Sequence, residues 1–304
     1  MDLSVVVCSY NRYALVADSA NAIETSSSFD PDKMELIIVE NTPPARRQKL
    51  SLGVQAHVVV CDEAGLSNAR NAGIAAAKGE IVAFVDDDAI VHDDWCGSVV
   101  AAFKDYSRAQ VCGGRTEPRF SGETFPRWYY SELAYYLSCI DWGPKSHPLE
   151  PGQWIVGANM AFRKSVFDTI GHFDPALGRK GEASLLSNEE IAMLRKVGQD
   201  KVFYIHDMVV DHIIPDERIS LEWFRKRVFW QAVSDVLAGE VHKAPAQATE
   251  ELFNIVARAP AECRGHRLLS YEPTTPESLK DQLDAVYVMA TLMSAGMPAV
   301  SLKG

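Results

Sequence analysis

The sequence predicts an α/β fold: a mostly parallel central sheet flanked by helices, with a helical C-terminal extension. Three observations carry this. Short β-branched runs of strand length alternate with helix-like segments through the first third of the chain. Those runs are nearly continuously apolar, as strands covered on both faces are. From Ser220 onward the pattern is amphipathic and helical.

Each element follows from its residues. Leu3–Cys8 reads as the first buried strand, Leu15–Thr25 as a helix and Met34–Val39 as a second buried strand. Val54–Cys61 is a third, centred on Val58, Val59 and Val60. Leu66–Ala77 is alanine-rich, with Leu66, Ala69, Gly73 and Ala76 on helical spacing and Gly79 as a stop. Ile81–Val85 is the fourth strand, and Asp93 or Asp94 can cap a helix running through Phe103. Gln110–Cys112 is a short fifth strand ending at Gly113-Gly114. Residues 115–185 are richer in aromatics, Gly and Pro, with one strand-to-helix unit, Trp154–Arg163 followed by Lys164–Ile170. A helix begins near Asn188 and ends at Gly198, and two short strands follow, Val202–Ile205 and Met208–Val210. Residues 243–275 read as irregular, and Glu277–Ser294 as the closing helix.

Composition narrows the function. Apolar residues at 47% and charged residues at 23% are globular values and exclude a disordered chain. Thirty Lys and Arg against 41 Asp and Glu leave a formal charge of −11, which argues against bulk nucleic-acid binding. An anionic substrate must therefore be held by a local site. Met1-Asp2-Leu3-Ser4 has no basic segment before its apolar run, which argues against a signal peptide. Cys8, Cys61, Cys96, Cys112, Cys139 and Cys263 stand singly, with no CxxC, and read as buried thiols in a reducing compartment. No run reaches the ~18 uncharged apolar residues of a spanning helix. The nearest, Ala285–Val300, carries Gly296 and Pro298 and reads as a packing helix, with a membrane-surface or dimer contact as the alternative. The expected location is the cytoplasm, with peripheral contact at the inner membrane left open.

Chemistry concentrates where strands end. Phe84-Val85-Asp86-Asp87-Asp88 closes an apolar strand with three carboxylates, which are costly together unless a cation neutralises them. Such oxygens suit Mg²⁺ or Mn²⁺ shared with substrate phosphates, and a solvated acidic turn is the plain alternative. After the first strand, Ser9-Tyr10-Asn11-Arg12 contains neither GxGxxG nor GxxxxGK[ST], so dinucleotide and P-loop sites fail there. Glu40 ends the second strand, where an acid can accept hydrogen bonds from a base or ribose. Arg70 could pair with the acidic triplet or with a phosphate.

SVVVCSYNR, the VEN at Val39–Asn41, GLSNARNAGIAAAKGEIVAFVDDDAIV, GANMAFRK and GHFDPALG together resemble a family 2 glycosyltransferase with the GT-A fold, a Rossmann-like sheet. The resemblance covers roughly residues 1–230: residues 1–114 as the nucleotide-sugar half, 115–215 as the acceptor half, and 231–304 as a helical extension beyond it. It implies transfer from a nucleotide-diphosphate sugar to a saccharide, lipid-linked or other hydroxyl acceptor, with inversion. It also implies a Mn²⁺ or Mg²⁺ cofactor between the Asp motif and the diphosphate, and no nucleic-acid partner; a homodimer stays open.

Carried over by residue, Ser9, Tyr10 and Arg12 match the first nucleotide loop. Glu40 matches the base-contacting acid, which is Asp in most relatives. Arg70 matches a nucleotide-side arginine. Asp86 and Asp88 match the ends of the DxD motif, with Asp87 between them on the nucleotide side and Asp88 as the metal ligand. His212 matches a late histidine that ligates metal, with His206 as runner-up. Gly157-Ala158-Asn159 matches the sugar and acceptor loop. Trp128–Tyr136, Trp142 and Trp154 fall where acceptors bind, and Arg218, Arg225 and Arg227 where basic residues face the diphosphate. The absence of QxxRW implies single-sugar transfer. The acidic pair expected at a helix start is Glu189-Glu190; Glu189 is preferred as general base because Asn188-Glu189 matches the family order. On this reading Asp88→Ala and Glu189→Ala each abolish transfer and leave the fold intact. A nucleotidyltransferase and a non-enzymatic binding module are the rival readings.

Overall fold

The computed structural model describes residues 1–122, 124–181, 184–241, 245–259, 261, 264 and 267–294. Cys263 and the tail containing Gly296 and Pro298 lie outside the described residues. The strands are β1 (Leu3–Ser9), β2 (Met34–Glu40), β3 (His57–Val60), β4 (Ile81–Asp86), β5 (Ala89–Val91), β6 (Val111–Phe120), β7 (His147–Pro148), β8 (Asn159–Arg163) and β9 (Val202–Ile214). The helices are α1 (Tyr13–Glu24), α2 (Leu66–Ala76), α3 (Trp95–Asp105), α4 (Leu133–Tyr136), α5 (Ser165–Ile170), α6 (Glu189–Val197), α7 (Leu221–Leu237), α8 (Pro245–Arg258) and α9 (Pro276–Ser294).

The strands form one sheet in the order β3-β2-β1-β4-β8-β6-β9-β5, with β7 paired to β9 outside that path. From the pairings, β1, β2, β3, β4, β6 and β9 run one way and β5, β7 and β8 oppose them. In register, Val7 lies between Ile38 of β2 and Val85 of β4. Alternation divides β1 between two cores: Leu3, Val5 and Val7 pack under α1 and α3, and Val6 packs under α2 with Ile74 and Met193. Each buried Val or Leu contributes about 1.5–3 kcal/mol, so the parallel half is the rigid base of the molecule. A third core joins α4, α7 and α9 through Leu133, Phe224, Val228, Leu279 and Leu283. A fourth holds α8 against α9.

Several expectations change. The third strand is a half-exposed edge, with Val58 43% and Val60 52% exposed, because only β2 covers it. Gly113-Gly114 does not end a strand. β6 runs through both, because a Cβ at Gly114 would lie 1.9 Å from the Met208 carbonyl oxygen where β9 bulges. The two short strands after Gly198 are one long strand around that bulge. Trp154–Ala158 is a loop leading into β8. α3 starts after Asp94 without a side-chain cap, while Asp93 accepts from the Ser27 amide at 3.0 Å. Residues 245–258, read as irregular, form α8. The expected boundary at residue 230 falls inside α7.

Candidate functional site

The carboxyl ends of β1 and β4 meet the N-termini of α2 and α6 around a cavity of about 400 Å³. Parallel strands put their βα turns on one edge, which gathers residues distant in sequence. Ser9, Tyr10, Arg12, Arg70, Asp86, Asp87, Asp88, Gly157, Glu189, Glu190 and His212 all line it. Asn11 turns the chain there in the left-handed region (φ 56°), and its amide donates to Thr42 Oγ1 at 2.8 Å.

The predicted residues Glu40, Asn159, Trp154, His206 and Arg225 do not line this cavity. Glu40 is buried, and its Oε1 accepts from the Thr42 amide at 2.8 Å, so it holds the turn after β2. Asn159 is fully buried: its Oδ1 accepts from Trp95 Nε1, and its Nδ2 donates to the carbonyls of Arg115 and Met208. All its polar capacity is spent pinning β8 to β6 and β9. Trp154 packs against Trp142 and faces a second chamber. His206 Nδ1 faces the Gly143 carbonyl at 3.0 Å, outside the cavity. Arg225 bonds Gln282 and Tyr271 and fastens α7 to α9.

The acidic triplet divides into three environments. Asp86 keeps a third of its side chain exposed and lies 3.5 Å from Arg70 Nη2. Burial, then the charge of Asp88, pushes the Asp87 carboxyl up to about 7, against the pull of Arg12 at 3.0 Å. Burial also opposes charge on Asp88, but His212, Arg12 and Arg218 hold its carboxyl well below the usual carboxylate range. Its Oδ2 accepts from Arg12 at 2.7 Å and Arg218 at 3.0 Å, and its Oδ1 lies 3.2 Å from His212 Nε2. Burial disfavours a charged His212, yet the adjacent Asp88 raises it to about 10.

Asp88 Oδ1 and, once Nε2 gives up its proton, His212 are donors of the kind a small divalent cation takes. Neighbouring ligands on bonds of about 2.1 Å in an octahedron lie about 3 Å apart, close to the spacing seen here. His212 Nδ1 faces the Leu137 carbonyl at 2.8 Å, which directs Nε2 at Asp88 and orients the ring as second partners of ligating histidines do. Among the described residues, His92, Glu117 and Asp211 also converge, but they lie outside both chambers.

The acidic pair separates sharply. Glu189 Oε1 accepts from Arg70 Nη1 at 2.5 Å, with both side chains almost wholly buried. Arg70 is held between the Phe84 and Phe173 rings and against Gly157, where a Cβ would lie 2.3 Å from Nη2. Glu190 forms no ion pair among the described residues, and its Oε2, like the Oε2 of Glu189, is buried and unbonded. Burial, then the charge of Glu189, pushes its carboxyl up to about 8, against the pull of Arg70.

Asn188 precedes the pair in the left-handed region (φ 73°). Its Nδ2 donates to Asp235 Oδ1 at 2.7 Å, Gln231 Nε2 donates to the same oxygen, and Tyr287 donates to Asp235 Oδ2 at 2.6 Å. The start of α6 is thus tied to α7 and α9. Ser138, Ser187, Glu190 and Arg227 border both this cavity and a second chamber of about 730 Å³. Arg227 is nine-tenths buried with Nη1 unbonded, and burial, then the nearby Arg179 charge, lowers it to about 10. Arg179, Asp235 and Tyr287 had no sequence signal of their own, since a lone Arg, Asp or Tyr in a loop or helix has many uses.

The arrangement is a cleft inside an acidic protein where arginines and carboxylates converge, with Asp87 pushed up and its neighbour Asp88 held down. The model of glycosyl transferase family 2 matches residues 4–171. A glucosyl-dolichyl phosphate glucuronosyltransferase of Haloferax volcanii is 27% identical over 241 residues, covering 77% of this chain and 76% of that protein. The succinoglycan biosynthesis protein ExoM of Rhizobium meliloti is 22% identical over 262 residues, covering 80% and 77%. Mannosyltransferase PcManGT of Pyrobaculum calidifontis, solved with GDP-Man and Mn²⁺, has a TM-score of 0.56 at 15% identity, covering 96% of this chain and 86% of that one. S. aureus TarS has a TM-score of 0.51 at 13% identity, covering 96% and 90%. These two structural likenesses concern the fold.

Proposed function

The chain belongs to glycosyl transferase family 2 and is a glycosyltransferase of GT-A fold, and on that premise we propose that it is an inverting, metal-dependent enzyme with Glu190 as general base. The donor is a nucleotide-diphosphate sugar and the acceptor a hydroxyl of a growing glycoconjugate. The observation that carries the base assignment is that Glu190 lines both chambers, whereas Glu189 lines only the first and is held there by Arg70.

The expected base, Glu189, is committed elsewhere. Its bond to Arg70 lies in a dry site between aromatic rings, and a proton taken there would cost the buried Arg70 its shortest ion pair and leave it only Asp86 at 3.5 Å. Glu190 has the opposite properties. A carboxylate raised to about 8 holds a hydroxyl proton far better than an ordinary one, which is what base catalysis near neutrality needs. It takes the proton as the acceptor oxygen attacks the anomeric carbon, and the diphosphate leaves from the opposite face.

Asp88 and His212 would hold the divalent cation, with Asp86 toward the nucleotide. When bound, the cation neutralises charge on the departing diphosphate. Arg12, Arg218 and Arg227 lie along the same wall and supply fixed positive charge to the phosphates. Ser9 and Tyr10 sit at the nucleoside end.

The test is donor turnover by EDTA-treated protein with and without Mn²⁺, in wild type, Glu190→Gln and Glu189→Gln. Loss of transfer in Glu190→Gln with nucleotide binding kept is expected. Full turnover in Glu190→Gln would return the base to Glu189, and full turnover with EDTA would remove the cation from the scheme.

A further inference from the structure

We propose that the second chamber is the acceptor subsite and that it takes an uncharged, hydroxyl-rich sugar ring, not an anionic one. This rests on the transferase reading above and names the acceptor class for it. The chamber's ~730 Å³ falls among small-molecule sites, which span about 300–1,000 Å³. It opens onto the donor cavity at Glu190 and Arg227, so a ring seated in it presents a hydroxyl to the base.

One wall is aromatic. Tyr135 is stacked on Trp142 (centroids 5.9 Å, 27°) and meets Trp154 edge-on at 5.3 Å, yet it remains 43% exposed. A ring fixed by two indoles and still open is a platform for the C–H face of a pyranose. The opposite wall comes from α9. Leu279 and Leu283 pack that helix into the third core, and Glu277, Lys280 and Asp284 line the chamber at helical spacing.

The charges decide the ligand class. Besides Glu190, which is mostly protonated near neutrality, Glu132, Asp235, Glu277 and Asp284 line the space against Arg227 and Lys280. Carboxylates accept hydrogen bonds from sugar hydroxyls and repel a uronate or phosphate in the same place. At the mouth, the buried Arg227 Nη1 and Glu190 Oε2 have no protein partner, as buried polar groups awaiting a ligand would.

The probes are methyl glucopyranoside, methyl mannopyranoside and methyl glucuronopyranoside. They are followed by saturation-transfer NMR on the full chain in the presence of Mn²⁺ and, separately, UDP or GDP. The neutral glycosides are expected to bind about tenfold better than the glucuronoside. Tyr135→Ala should weaken the neutral ligands about five- to tenfold. Asp284→Asn should narrow the preference, with thermal unfolding used to confirm that each variant is folded. Better binding of the glucuronoside, or equal binding by wild type and Tyr135→Ala, would overturn the proposal. Nucleotide titration is read independently: failure of UDP and GDP to bind would sink the transferase reading, whereas glycoside results inverted with nucleotide binding intact would sink only the acceptor assignment.

Discussion

Glu189 and Glu190 are adjacent and chemically identical, yet their surroundings differ: Arg70 pairs with Glu189, and Glu190 lines both chambers. Glu189 completes a buried ion pair, so Glu189→Ala should cost about 3–5 kcal/mol in chemical denaturation by stranding Arg70. The expectation that this substitution leaves the fold intact is therefore revised. Glu190→Gln should instead reduce transfer about 10²–10⁴-fold with no loss of melting temperature at pH 7, since a neutral amide replaces a carboxyl that burial keeps mostly protonated. The sign with pH follows from the raised carboxyl. Activity should rise as pH passes through about 8 and the base ionises, and this limb should vanish in Glu190→Gln. The same shift gives stability that is full below the ordinary glutamate range and lost as pH rises through about 8. Denaturant midpoints of wild type and Glu190→Gln should therefore draw apart as pH rises from the ordinary glutamate range to about 8 and stay separated above it, and midpoints that track each other across that range would refute this.

At the scale of elements, α6 matters for where its first turn is held. Asn188, in a left-handed conformation, is fixed by Asp235, which Tyr287 of α9 fixes in turn. Asp235→Ala strands the Asn188 and Gln231 amides and the Tyr287 hydroxyl, at about 1–3 kcal/mol. Its kinetic signature should be a fall in kcat larger than any change in donor KM, because Glu190 loses its aim while the donor wall is untouched. The elements themselves were largely legible. β1, β2, β4, α1, α2 and α6 lie within two residues of their expected bounds, since apolar periodicity reports burial directly. β3 was legible as a strand but not as an exposed edge, because sheet position is a long-range property. Gly113-Gly114 was misread because a glycine that ends a strand and one that admits a neighbouring bulge look alike in sequence.

Across the whole molecule the formal charge is −11, yet arginines gather at the cavity beside the ends of β1 and β4. Arg12, Arg70, Arg179, Arg218 and Arg227 all line it. Nucleoside diphosphate binding should therefore depend steeply on Mn²⁺ and weakly on salt, because buried charges are screened little. Thermal shift with UDP and GDP from low to high ionic strength checks this, and a strong salt slope would show an exposed, surface-driven site. Among the described residues no helix is long and apolar enough to cross a membrane. α7 and α9 share one core with α4 and with Ile214 at the end of β9, so the helical part is continuous with the sheet.

Sequence alone determined the sheet's parallel half, the family, and the loops that converge at its carboxyl edge. These follow from periodicity and from motifs at strand ends, which are local. Tertiary structure alone decided that Glu40 and Asn159 are spent on internal bonds, that Arg70 claims Glu189, and that Glu190 stands where two chambers meet. The physical reason is desolvation. Whether a carboxylate is paired, protonated or free depends on which distant groups exclude water from it, and chain order does not encode that distance.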